Sequence, residues 1–140
     1  PLVQCKGSKM ASKNLTNKEF IRSYFAAVCQ DKSPTIVNQY VTDEELKHHI
    51  ALFEAAFPGY QLTADEMVSE GETVFVRATF EGTHKGDLRG IAPTGKSVTI
   101  PIALTYRIVD GKIVDHWMLA DQLSMMQQLG VIPVPQGEGA

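Results

Sequence analysis

One long run of alternating side chains constrains this chain more than any other feature. Apolar residues occupy every second position from Val98 to Ile108, which is the pattern of a long β-strand. Asp110-Gly111 follows. Asp-Gly between two apolar runs is a strong signal of a two-residue hairpin turn, because glycine accepts the positive φ that such a turn requires. The fold must therefore contain an antiparallel sheet built around this hairpin.

The spacing of apolar residues changes after Trp117. Apolar positions then recur every three or four residues, which predicts a short C-terminal helix beginning near Asp121. Two roles are open for Asp121. It can cap this helix through its side-chain oxygen, or it can lie at the mouth of whatever the sheet encloses and exchange protons.

Three helices are predicted before the sheet. Their start signals are the capping boxes Thr16/Glu19 and Thr42/Glu45, and Ser33-Pro34 for the second helix. Strands are then expected over 61–69 and 73–84, with a loop over 85–94. Helices followed by an antiparallel meander and a closing helix make the fold class α+β. We expect residues 1–14 to be an extension outside the core, 15–133 to be one domain, and 134–140 to be a flexible tail.

Composition excludes several classes of protein. The chain has 140 residues and 44% apolar composition, which suits one core. A net charge of -3 without a basic run argues against nucleic acid as a partner. No apolar run reaches the roughly 18 residues of a membrane span, so no membrane partner is expected. Cys29 lies on an apolar helix face, far in sequence from Cys5. A buried free thiol and a reducing, cytoplasmic location are therefore predicted.

Two common kinds of site are rejected. The segment 90–97 satisfies the phosphate-loop pattern GxxxxGK[ST], but it leads into the alternating run and not into a helix, so nucleotide binding is not expected. None of the four histidines forms a metal-binding pair with a neighbour, so we predict no metal and no cofactor. Any catalysis would be acid–base chemistry by side chains.

Four residues have both a structural and a functional interpretation. His49 lies on the apolar stripe of the third helix, as a core histidine or a pocket residue. His84 ends a strand among small residues, where it could contact a ligand or stabilise a turn. Arg77 either faces a wet cavity or points outward from the sheet. Trp117 is either core or a platform for a ligand.

The order of several motifs resembles the SnoaL-like polyketide cyclase (ester cyclase) family. The resemblance spans about 15–133 and rests on Gly82-Thr83-His84-Lys85-Gly86, Pro93-Thr94-Gly95-Lys96, His116-Trp117, Asp121 and Gln127-Gln128-Leu129-Gly130. It implies a cone-shaped α+β barrel in which helices and a curved sheet enclose an apolar pocket. It also implies a cofactor-free intramolecular aldol cyclisation or isomerisation of a hydrophobic, carbonyl-bearing molecule.

Transferred to this sequence, the resemblance makes Asp121 the general acid and base, with His84 as its catalytic partner. The substrate-binding residues are expected to be His49, Phe53, Arg77, Tyr106, Trp117 and Met118. Several cyclases of the family carry a carboxylate directly after the Trp and a histidine on the preceding strand, where this chain has Met118 and Leu104. The alternatives are a hydrolase or dehydratase in the same pocket and a non-catalytic binding domain. We also expect a homodimer formed through the sheet.

Overall fold

The predicted order of helices and strands is confirmed. A computed structural model describes residues 16–133; the predictions for 1–14 and for 134–140 lie outside these residues. The elements are α1 Asn17–Gln30, α2 Pro34–Tyr40, α3 Glu44–Ala56, β1 Gln61–Glu70, β2 Thr73–Thr83, β3 Ser97–Val109, β4 Lys112–Ala120 and α4 Gln122–Leu129. The α+β class and the short C-terminal helix are as the sequence indicates.

The four strands form one antiparallel sheet in the order β1-β2-β3-β4. Side chains alternate between its two faces, as the period of a strand requires. The inner face is buried, with Val76, Ile102 and Leu104 at most 6% exposed. The outer face is solvent-accessible and carries Phe75 and Trp117. The hydrophobic core therefore lies on the inner side of the sheet, between it and the helices.

The helix start signals give two confirmations and one correction. Thr16 and Glu19 form the predicted capping box, and Pro34 opens α2 after the N-cap residue Ser33. The N-cap of α3 is Asp43, not Thr42, because the Asp43 carboxylate accepts hydrogen bonds from the backbone amides of the first turn. A carboxylate at a helix N-terminus is also favoured by the helix dipole.

The hairpin and the loop before it follow the sequence prediction. Asp110 and Gly111 have φ angles of 52° and 73°, the positive values of a two-residue hairpin turn. The segment 90–97 enters β3 without a helix, so the phosphate-loop pattern does not form the structure that binds phosphate.

The prediction for Cys29 is wrong. Cys29 is disulfide-bonded, and the chain's other cysteine, Cys5, lies outside the described residues. Cysteine usage therefore gives no support to a reducing compartment, and the cytoplasmic location stays a prediction without that argument. None of the described helices is long and apolar enough to cross a membrane.

The loop after β2 docks on the end of α3 through its backbone. The amides of Lys85 and Gly86 both donate to the carbonyl of Ala56, at 3.0 and 3.1 Å. The approach is so close that a Cβ on Gly86 would lie 2.0 Å from the carbonyl oxygen of Ala55. Glycine at position 86 therefore lets this loop contact the helix.

Helix α4 docks on β3 in a similar way. The side-chain amide of Gln128 accepts from the backbone amide of Thr99 at 2.8 Å and donates to its carbonyl at 3.0 Å. Thr99 lies before the part of β3 that pairs with β4. Gln128 thus takes the place of a neighbouring strand.

Candidate active site

A cavity of about 280 Å³ lies between the inner face of the sheet and the helices. Most of its wall is aliphatic or aromatic. The residues on the wall that carry polar groups are Tyr24, His49, Tyr60, Arg89, Tyr106 and Gln122. Arg89 and Gln122 are exposed, so they mark the mouth. The size and the few polar groups are those of a site for a small hydrophobic molecule.

Four of the predicted substrate-binding residues lie on this wall. Tyr106 and Met118 come from the inner faces of β3 and β4, and His49 and Phe53 lie one turn apart on α3. Residues four apart on a helix share a face, so the imidazole and the phenyl ring enter the cavity together. Burial raises the pKa of Tyr106 well above its ordinary value, which keeps its hydroxyl protonated and able to donate a hydrogen bond.

The structure places Arg77 and Trp117 elsewhere. Both lie on the outer face of the sheet, opposite the cavity, because they alternate with buried Val76 and with cavity-lining Met118. Arg77 is paired there with Glu66 at 3.4 Å. These two positions therefore lie outside the pocket wall, contrary to the prediction that they bind substrate.

His84 is fully buried outside the cavity wall and holds a loop. Its Nδ1 accepts the backbone N–H of Thr94 at 3.1 Å, and its own backbone bonds to Gly95 and Lys96. Nε2 is buried and has no hydrogen-bond partner among the described residues. The geometry matches the turn-stabilising interpretation of His84. The side chain does not line the cavity, so the structure gives no support to its predicted catalytic role.

Asp121 takes the first of its two predicted roles. Its carboxylate accepts the amide of Ser124 at 3.0 Å and caps α4, which confirms the N-cap. The side chain is exposed, between the lining residues Ala120 and Gln122, and is not part of the wall. Its position supports a role in helix capping and gives no support to general acid–base catalysis.

Two residues that were not predicted as site residues connect to His49 on the side away from the cavity wall. Oδ2 of Asp43 lies 2.7 Å from Nδ1 of His116, and Nε2 of His116 lies 3.4 Å from Nδ1 of His49. The side chains of His116 and Asp43 are only 4% and 10% exposed. The available signal was the alternation of β4, which puts His116 on the same face as Met118.

The electrostatics of this chain of groups keep Asp43 charged and His49 neutral. Burial raises the pKa of Asp43, but the hydrogen bonds from His116 and from the backbone amides outweigh it, so the net pKa is lowered. Burial and the nearby His116 lower the pKa of His49 from its ordinary 6.5. A neutral imidazole on an apolar wall can accept a proton near pH 7.

Asp43, Glu45 and His116 are also potential metal ligands, with one donor atom each within 4.8 Å of one another. The 2.7 Å separation of Asp43 and His116 is that of a hydrogen bond. Two ligands on one tetrahedral metal at about 2.0–2.1 Å lie about 3.3 Å apart. The trio therefore suits a shared proton better than a metal ion.

Comparison with known proteins identifies the family. The sequence model of the SnoaL-like polyketide cyclase family matches residues 9–129. The chain belongs to this family.

Three similar proteins illustrate its range. The aklanonic acid methyl ester cyclase DauD of Streptomyces sp. (strain C5) is 29% identical, over 87% of this chain and 83% of DauD. The structure of AclR from Streptomyces galilaeus, a proposed hydroxylase, superposes with a TM-score of 0.73 at 26% identity, covering 85% of this chain and 84% of AclR. A proposed SnoaL-like cyclase from Jannaschia sp. CCS1 gives a TM-score of 0.74 at 20% identity, covering 91% of this chain and all of that one. These similarities are consistent with the cone-shaped α+β fold.

The most recognisable motifs of this SnoaL-like chain serve the architecture. Gly86 and His84 hold the loop after β2, and Gln128 and buried Leu129 dock α4. The groups suited to proton transfer come from outside these motifs, on α3 and at its N-cap, except for His116. A motif match therefore locates the fold of this family member without locating its chemistry.

Replacing Asp121 by Ala is expected to lower the free energy of unfolding by about 1 kcal/mol, because the amide of Ser124 loses its acceptor. Denaturant unfolding measures this change. Asp121→Asn keeps a capping oxygen and should unfold like the wild type. Equal destabilisation in both variants would contradict the capping role.

Proposed function

We propose that this protein is a cofactor-independent acid–base enzyme that cyclises or isomerises a hydrophobic, carbonyl-bearing small molecule of polyketide type. The observation that carries the proposal is an apolar cavity with one neutral histidine, His49, on its wall. Removal of a proton α to a carbonyl needs a base of this kind and a surrounding that excludes water. Membership of the SnoaL-like family and the similarity to a methyl ester cyclase support the same reaction class.

Tyrosines on the cavity wall fit the second requirement of this chemistry. An enolate oxygen must be stabilised as charge develops, and neutral hydroxyl donors in a dry cavity can do this. Tyr24 and Tyr106 both line the cavity, are buried, and have pKa values raised by that burial. Their hydroxyls are thus protonated donors over the working pH range.

The test is exchange of α-protons in deuterated water. The protein is incubated with an aromatic methyl ester that carries a β-keto ester and a second ketone, and deuterium incorporation and ring closure are followed by NMR. We expect the protein to accelerate both processes. The substitution Ala120→Phe, which fills the cavity, should remove this acceleration. Binding without exchange would favour the non-catalytic binding domain, and a product differing by one water would favour the hydrolase or dehydratase.

We further propose that the outer sheet face joins two copies of the chain. Cross-strand register places Val68, Phe75, Thr105 and Trp117 in one row across all four strands. Leu119, in the next row, is 62% exposed. A largely apolar row of this kind can pair with its own copy about a twofold axis, and burying it would stabilise a homodimer.

Light scattering at micromolar concentration should give about twice the chain mass of 15.4 kDa. The double substitution Trp117→Lys and Leu119→Lys should give the monomer mass, because two charges would be buried unpaired at the interface. Leu123→Lys is the matched control, since Leu123 is 60% exposed and lies on α4, not on a strand. A monomeric wild type would refute this interface.

A further inference from the structure

The contacts of His116 with Asp43 and with His49 couple the tautomers of the two histidines. An ionised carboxylate can only accept hydrogen bonds, so at 2.7 Å Nδ1 of His116 must carry the proton that Asp43 accepts. In the neutral form of His116 the lone pair is then on Nε2. That nitrogen faces Nδ1 of His49 at 3.4 Å, the long end of the hydrogen-bond range. His49 must donate from Nδ1, which leaves the lone pair of its own Nε2 as the basic site.

We propose that Asp43 and His116 are positioning residues that hold His49 in the tautomer whose Nε2 is the base of the reaction. The inference deepens the proposed function and rests on it for the reaction. Neither residue lines the cavity, so each acts through His49. Asp43 is itself fixed, because its other carboxylate oxygen caps α3, the helix that carries His49. The N-cap of α3, the Asp43–His116 pair and the base His49 are thus parts of one local structure.

The proposed reaction balances its protons and electrons without a further reactant. Nε2 of His49 takes the α-proton, and the electrons of the C–H bond become the enolate. The positive charge on His49 is shared with His116 through the Nδ1–H contact and balanced by the Asp43 carboxylate. In a cyclisation the enolate carbon attacks a second carbonyl of the same molecule. The resulting alkoxide takes the proton back from His49.

Asp43→Asn is the decisive substitution. Its amide oxygen can still accept the backbone amides of α3, so the helix cap is kept. Its NH₂ group would face Nδ1 of His116 and reverse the tautomers of both histidines, leaving a proton on Nε2 of His49. We expect turnover to fall roughly 10²-fold, within the range for acid–base groups, with little change in KM. Glu44→Gln, an exposed carboxylate in the same turn, is the control and should keep wild-type turnover.

The tautomer itself is read by ¹⁵N NMR of the histidine side chains in the protein without substrate. The proposal predicts Nδ1–H for His49 and His116 in the wild type and Nε2–H for both in Asp43→Asn. It is overturned if wild-type His49 is Nε2–H, or if Asp43→Asn retains turnover. Absence of α-proton exchange in the wild type would refute the proposed function instead. The tautomer measurement would still show whether Asp43 and His116 set the tautomer of His49.

Discussion

Replacing His49 by Gln is expected to slow α-proton exchange by about 10²–10⁴-fold, the usual contribution of a positioned general base. Glutamine approximates the reach of imidazole and can hydrogen-bond to His116, so the cavity wall is kept while the basic nitrogen is lost. Phe53 and the other wall residues remain, so substrate affinity should change little. The result is read from single-turnover exchange rates and from ligand titration on the same sample.

His48→Gln is the matched control, because His48 is the adjacent histidine and is exposed. It should exchange α-protons at the wild-type rate. A fall in binding that accounts for the whole loss in His49→Gln would mean that His49 positions substrate and does not move the proton.

The pH dependence follows from the groups around His49. Burial lowers its pKa from 6.5, nearby His116, Arg89 and His48 lower it further, and Glu45 opposes them. The base must be neutral, so the rate should be level at pH 7 and fall as the pH drops through the lowered pKa, below 6.5. A rate that rises on acidification through this window would contradict the assignment.

Gly86→Ala is expected to have the largest effect on stability, about 3 kcal/mol in the free energy of unfolding. Its Cβ would lie 2.0 Å from the backbone oxygen of Ala55, which cannot move without shifting the end of α3. The two hydrogen bonds to Ala56 would be lost as the loop moves away. Denaturant unfolding followed by circular dichroism measures the change.

Gly95→Ala in the same loop region is the comparison. Gly95 has a φ of 73° and nothing within 4 Å of an added Cβ, so only the cost of left-handed backbone, about 1–2 kcal/mol, is expected. If Gly86→Ala were no more destabilising than Gly95→Ala, the tight docking of this loop on α3 would be disproved.

The sequence predicts the fold well because its signals are local. The alternation from Val98 to Ile108, the Asp110-Gly111 turn and the start of α1 all act within a few residues. The third helix start was displaced by one residue because Asp43, not Thr42, reaches the first-turn amides.

The candidate site was harder to predict because its parts are distant in sequence. Asp43 and His116 are 73 residues apart and become partners only when β4 lies beside the start of α3. Arg77 and Trp117 were assigned to the pocket from residue type, although strand alternation alone decides which face they occupy. His84 was selected for its small neighbours, but in the folded chain it is buried and bonds to Thr94, Gly95 and Lys96.

We propose that His49, and not Asp121, removes the proton. The most direct measurement compares α-proton exchange by His49→Gln and Asp121→Asn at pH 7 with the same β-keto ester, after both are shown to be folded. We predict a loss of at least about 10²-fold for His49→Gln and a wild-type rate for Asp121→Asn. A wild-type exchange rate for His49→Gln, together with a strongly reduced rate for Asp121→Asn, would contradict this assignment. The catalytic role would then belong to the carboxylate that caps α4.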